Sequence, residues 1–221
     1  MSTDAFPWTD VSIDIETLDN KFSSAILSIG AVAFDRRTGK LGKTYYREID
    51  IDSAIKSGTV GADTLCWWMR QEDKVKAIFS DSTAARADKI HLATALQEFC
   101  TFIRSLGAPC VWGNGPSFDV TIIEHALNRG SVGLAIPWAF WNVRDVRTVV
   151  DLAELTTPWR RANVAREGVH HNALHDAAHQ ARLVLGGMVA LGHKYTAAPT
   201  GKKIIKPTVK TVEPADDDDD L

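Results

Sequence analysis

The apolar positions follow two rhythms that alternate along the chain. In "VSIDI" at 11–15 apolar and polar residues alternate, the period of a strand with one buried face. "AILSIGAVAF" at 25–34 is an apolar run that stops at the turn signal "DRRTG". "KTYYREIDI" at 43–51 reads as a third strand, and the three together predict a β-meander. The period then lengthens, predicting helices at about 62 to 79 and 90 to 106. A short buried strand, "PCVWGN", comes next, followed by a helix from Ser117 to Asn128, a helical stretch from Arg144 to Leu155 and a last helix from Asn172 to Leu191. Three antiparallel strands followed by alternating helix and strand predict an α/β fold, a mixed central sheet flanked by helices. In such sheets sites gather at the ends of the central strands.

Composition narrows this picture. The chain has 221 residues, 45% hydrophobic and 24% charged, an ordinary balance for one domain with a sizeable core. The rhythm stops after Tyr195. A basic stretch (Lys202, Lys203, Lys206, Lys210) leads to five aspartates, Asp216 to Asp220, and Leu221. The expected organisation is therefore a domain over 1–195 and a disordered tail over 196–221, basic and then acidic, because the tail buries too little apolar surface to offset its ordering entropy. "MSTDAFPWTD" has no basic or apolar leader character and no apolar run approaches bilayer length, so no membrane is expected and the protein should stay in a cytoplasm, the host's if the source is viral. Cys66, Cys100 and Cys110 are too scattered for a disulfide framework or a Cys-based zinc site and read as reduced core thiols. A net charge of −3 means that any surface for a polyanion must be local.

The chemistry begins with "SIDIET". Asp14 and Glu16 lie two apart on a strand and so share a face. Alone, such a pair reads as a solvated strand edge. Buried, the two would repel unless a cation lay between them. Asp119 opens the helix after the Gly-Asn-Gly turn of "VWGNGPSFD", where a first-turn aspartate is also simply favourable. Asp176 sits between Ala173, Leu174, Ala177 and Ala178, small neighbours that would let its helix approach the sheet and carry the carboxylate inward. His170, His171, His175 and His179 surround it, and the i, i+4, i+8 series of the last three could suggest zinc. An HxxxH pair without the metalloprotease Glu is a weak signal, however, and Asp176 lies about 100° from His175 around a helix. His175 and His179 are expected at the surface or behind the site.

These residues carry a family resemblance. Asp14 and Glu16 in "DIET", Asp119 in "GNGPSFD" and the pair His171 and Asp176 in "HNALHD" resemble, in order, the three motifs of the DEDDh 3′-5′ exonucleases. "LCWWMRQED" at 65–73 and "FWNVRDVRT" at 140–148 are similar to the tailed-phage exonuclease A group and its exodeoxyribonuclease VIII-like relatives. The likeness spans roughly residues 10 to 192. It implies a ribonuclease H-like fold and removal of nucleotides from nucleic acid with a free 3′ end, DNA ahead of RNA. A 3′-5′ exoribonuclease of the same fold, or a catalytically weak binding module recruited through its acidic tail, are the alternatives.

The residues fit that chemistry. Hydrolysis of a phosphodiester needs an activated water and neutralisation of charge on the attacking and leaving oxygens, which two metal ions supply. Asp14, Glu16, Asp119 and Asp176 offer only oxygen, a set that favours two Mg²⁺ or Mn²⁺ over zinc. His171 is left as the general base, with His170 its competitor. Arg160, Arg161 and Arg166 in "WRRANVAREG" could hold a phosphate backbone or form a solvated basic loop. Thr17, Asn114 and Trp68 complete the candidates for substrate contact. Trp67, Trp68 and Trp141 could each stack on bases, although at least one of the adjacent pair is expected in the core. Arg144 and Asp145 are expected to form an ion pair supporting the site. The acidic tail ending in Leu221 resembles the tips through which single-strand-binding proteins recruit partners, and equally reads as a solubilising charge run. The domain is expected to act as a monomer or homodimer.

Overall fold

The computed structural model describes residues 8–80, 87–129 and 133–196. The expected tail lies outside these residues, apart from Thr196, whose backbone N–H donates to the Arg37 carbonyl at 2.7 Å. Five strands, β1 (Asp10–Thr17), β2 (Ile26–Asp35), β3 (Lys40–Glu48), β4 (Cys110–Gly113) and β5 (Val143–Asp145), form one sheet in the order β3-β2-β1-β4-β5. β1 is antiparallel to β2, which is antiparallel to β3, and β4 and β5 continue in parallel with β1. The expected meander and mixed α/β sheet are both present.

The helices named among the described residues are α1 (Ile51–Ser57), α2 (Ala62–Met69), α3 (Asp73–Lys76), α4 (Leu92–Ser105), α5 (Asp119–Asn128), α6 (Val146–Thr156) and α7 (Ala173–Ala190), and they cover the sheet. The alternation of β1 divides its side chains between two layers. Val11, Ile13 and Ile15 enter one apolar core with Leu96, Phe99 and Ile103 of α4 and Ile122 and Ile123 of α5. A second core joins Phe34 and Trp112 to Val146 and Val150 of α6 and Ala181, Val184 and Leu185 of α7. β2 is buried along its whole length because both of its faces are covered.

The carboxylates fall on the α7 side. Asp14 stands opposite Gly30 of β2, and a Cβ at Gly30 would lie 2.2 Å from the backbone carbon of Ala173. Gly30 thus lets the start of α7 rest directly on the sheet, with Ala173, Ala177 and Ala181 fully buried behind it. That close approach brings Asp176 onto the strand carrying Asp14 and Glu16. Asp10, in phase with them, is satisfied differently: it accepts from the Trp112 indole N–H at 2.7 Å and pairs with Arg36 at 2.7 Å.

Several boundaries differ from the pattern-based ones. The helix expected over 62–79 breaks at Arg70–Glu72, where the N–H groups of Arg70 and Gln71 close the last turn of α2 onto Trp67 and Trp68, and it resumes as α3 and a single 3₁₀ turn. β3 stops at Glu48 because Asp50 accepts from the Ser53 N–H at 2.9 Å and caps α1, a helix hidden within the apolar-polar alternation. Arg144 and Asp145 belong to β5 rather than to the helix after it, since Asp145 is the extended N-cap of α6. The helix expected from Ser117 begins at Asp119. Cys66 is exposed, unlike buried Cys100 and half-buried Cys110, so only part of the core-thiol reading holds. Among the described residues no helix is long and apolar enough to cross a membrane.

Candidate active site

Beyond the C-terminal ends of β1 and β4 lies a cleft of about 500 Å³. Asp14, Glu16, Asn114, Asp119, Arg161, Arg166, His170, His171 and Asp176 all line it, from a strand, a turn, two helix starts and one loop. Chain separation hides this convergence in the sequence. Asp14, Glu16 and Asp176 bring carboxylate oxygens within 4.8 Å of one another, and Asp176 shares a second such group with His170 and His171.

Asp14, Asp119 and Asp176 are each held by a different element. Asp14 keeps one edge open to the cleft while its Oδ1 accepts from Gln180 Nε2 at 2.6 Å, and Gln180 is itself braced by the Ser12 hydroxyl at 3.3 Å. Asp119 is the first residue of α5, and its Oδ1 accepts from the Ile15 N–H at 3.3 Å, tying the helix to β1. Asp176 faces the Arg166 guanidinium and accepts from the His171 backbone N–H at 2.9 Å.

So many acids in a buried place resist ionising together. Burial, reinforced by Asp119, Glu16 and Asp176, holds the Asp14 carboxyl well above the usual range, against the pull of Gln180. Burial and then Asp176 and Asp119 push Glu16 to about 8. Burial also lifts Asp119 to about 7, although the Ile15 N–H works the other way. A cluster that cannot carry its charges unaided fits a small hard cation, and its oxygen donors suit Mg²⁺ or Mn²⁺.

His171 sits one residue before the N-cap of α7 with a left-handed φ of 61°, as Asn172 accepts from the His175 N–H at 3.2 Å and caps the helix. Its ring packs 3.9 Å from that of His170 and edge-on to Trp67, 4.7 Å between centroids. Burial, and then the neighbouring His170, lower its pKa, which keeps the imidazole neutral near pH 7. The helical histidine stripe does not form, because His171 is outside the helix. His175 turns its Nδ1 to the Val169 N–H at 3.0 Å, whereas His179 is buried in the cleft wall rather than at the surface, its Nδ1 without a hydrogen-bond partner among the described residues.

Other candidates are placed elsewhere. Trp68 is 3% exposed, donates its indole N–H to the Thr17 carbonyl at 2.9 Å and meets Phe79 edge-on, so it has no free face for a base. Half-buried Trp67 is the member of the pair that reaches the histidines. Thr17 commits its hydroxyl to the Asp19 carbonyl at 2.8 Å and lies outside the cleft lining. Arg160 donates to the carbonyls of Glu154, Thr157 and Trp159, away from the cleft. Arg144 forms no ion pair with Asp145; it donates to the Trp141 and Val143 carbonyls while Asp145 caps α6. Trp141 is exposed beside Phe140, near the start of β5 and away from the carboxylates. Gln180 and Arg147 line the cleft without having been singled out in the sequence. Gln180 follows Asp176 by four residues, and that helical spacing is a signal that could have found it.

No curated protein matches the chain. Solved structures that resemble it show the fold: the nuclease domain of 3′hExo, a DEDDh family member bound to rAMP, has a TM-score of 0.52 at 13% identity, over 87% of this chain and 96% of that one. Exonuclease I from Methylocaldum szegediense has a TM-score of 0.54 at 14% identity, over 81% of this chain and 42% of its own. E. coli ExoI, in a zinc-bound complex with single-stranded DNA, gives 0.53 at 14% identity over 82% and 39%. The chain therefore spans about two fifths of those two enzymes. Sequence speaks more specifically than these distant folds: residues 9–187, which hold every carboxylate of the cleft and the histidine pair, match the 3′-5′ exoribonuclease Rv2179c-like domain, and the chain belongs to that family as a 3′-5′ exonuclease of the DEDDh type.

Proposed function

We propose that the chain is a divalent-metal-dependent exonuclease that releases mononucleotides from the 3′ end of single-stranded RNA in preference to DNA. The observation that carries the metal dependence is the convergence of Asp14, Glu16, Asp119 and Asp176, from three separate stretches, on one cleft. The family's description supports RNA over the DNA expected from the phage-like segments, and the phage exonuclease A likeness remains a resemblance.

In this reading the four carboxylates hold two Mg²⁺ or Mn²⁺ ions. When bound, the ions supply neutralisation of charge on the phosphodiester and activation of a water. Gln180 fixes the orientation of Asp14, which lines the cleft. His171, neutral near pH 7, accepts the proton from water, and Trp67 against its ring limits where the imidazole can turn. Asn114, which lines the cleft, would meet the strand.

The test is hydrolysis of matched RNA and DNA oligonucleotides labelled at the 5′ end. Shortening from the 3′ end should stop in EDTA and return with Mg²⁺ or Mn²⁺, faster on RNA. Full activity in chelator, or cutting of a closed circular strand, overturns the reading, and faster digestion of DNA overturns the substrate assignment alone.

A further inference from the structure

The arginines around the cleft are separated by the partners they already have. Arg166 faces Asp176, and Arg161 is held by Asp151 at 2.9 Å and by Glu154 at 2.7 Å. Arg160 is turned to the carbonyls at the end of α6. Arg147 differs from all three. It is exposed, lines the cleft, and forms no ion pair or side-chain hydrogen bond among the described residues.

Its position is built. Asp145 Oδ1 accepts from the backbone N–H of Arg147 at 3.1 Å and of Gly115 at 3.2 Å, while Oδ2 takes the Thr148 hydroxyl at 2.8 Å. One carboxylate thereby fastens the first turn of α6 to the Gly-Asn-Gly turn that leads into Asp119. Gly115 has a φ of 96°, and a Cβ there would lie 3.0 Å from Arg147 Nη1. The bare Cα gives the guanidinium its place on the rim, near enough for its charge to act on Asp119.

A nucleic-acid strand entering this cleft brings phosphates toward a wall of carboxylates. An arginine already matched to a protein carboxylate adds little attraction, whereas an unmatched planar fork offers paired donors to phosphate oxygens. We propose that Arg147 grips a backbone phosphate of the bound strand, positioned by Asp145 and Gly115, in the role that the 159–168 loop would otherwise hold. The assignment rests on the exonuclease reading above.

Binding of a single-stranded oligonucleotide with phosphorothioate linkages at its 3′ end, RNA or DNA according to which is hydrolysed faster, is measured against salt in Mg²⁺. Wild type is compared with Arg147→Ala, Arg147→Lys and Arg104→Ala, the last removing the same charge from α4 on the far face of the sheet. One lost phosphate contact on a single strand lowers the log–log salt slope by about 0.7. Arg147→Ala should show that drop with affinity about tenfold to a hundredfold weaker, equally across base sequences. Arg147→Lys should keep the slope with a smaller loss, and Arg104→Ala should match wild type. A wild-type slope and affinity in Arg147→Ala overturns the assignment while leaving the nuclease reading intact. A wild type that binds neither polymer overturns both.

Discussion

Glu16→Gln removes one charge from the carboxylate cluster while keeping nearly the same shape. Glu16 is 8% exposed, and burial together with Asp176 and Asp119 pushes it from its ordinary 4.5 to about 8. Between those two values the folded, metal-free protein keeps a proton that the unfolded chain has released. Stability therefore falls as pH rises, by ~1.4 kcal/mol per pH unit. The penalty is absent below 4.5 and complete above about 8. From pH 6.5 to 8 it amounts to roughly 2 kcal/mol. His171 and His179, both pushed down by burial from 6.5, act with the opposite sign: they make stability rise with pH, but only until 6.5 is reached. The slope above 6.5 thus belongs to the acids. Asp14 and Asp119 add to it in wild type, and the variant also relieves Asp14, which Glu16 helps to push up. Urea unfolding in EDTA at several pH values from 6.5 to 8 should give a wild-type curve that descends and a Glu16→Gln curve that is flatter and higher at pH 8. Saturating Mg²⁺ should reverse the order, since the variant lacks a ligand for the ion. Parallel curves in EDTA would refute the claim that Glu16 is forced to ionise against its neighbours.

His171→Ala should lower turnover by about 10² to 10⁴-fold with metal affinity nearly unchanged, as loss of a general base does, and His170→Ala should cost less; rates and Mn²⁺ titrations of the two variants decide between them. Gly30→Ala should destabilise the fold by about 1–3 kcal/mol in chemical unfolding, because its Cβ meets the Ala173 backbone and α7 must shift. The same shift moves Asp176, so activity should fall with it. Trp68→Ala should cost about 3–5 kcal/mol of stability as a core truncation, whereas Trp67→Ala should leave unfolding midpoints closer to wild type and alter turnover through His171.

Local rules carry what depends on neighbours in sequence. The period of two along β1 puts Asp14 and Glu16 on one face and Ile13 and Ile15 on the other, and the structure keeps that division. Asn172 caps α7 and leaves His171 just outside it, in keeping with the helix expected from Asn172. The turn and the helix start around Asp119 were legible for the same reason. Tertiary structure decided which side chains were already engaged. Trp67 and Trp68 are adjacent in sequence, yet α2 turns one into the core and the other onto His171, because neighbouring residues on a helix point about 100° apart. Arg160, Arg161 and Arg166 form one basic run, but each finds a different partner across space, while Arg147, less conspicuous in the chain, is left unmatched among the described residues at the rim. Burial of the carboxylates, and with it their resistance to ionisation, arises only when α7 descends onto Gly30 and closes the space between three distant stretches.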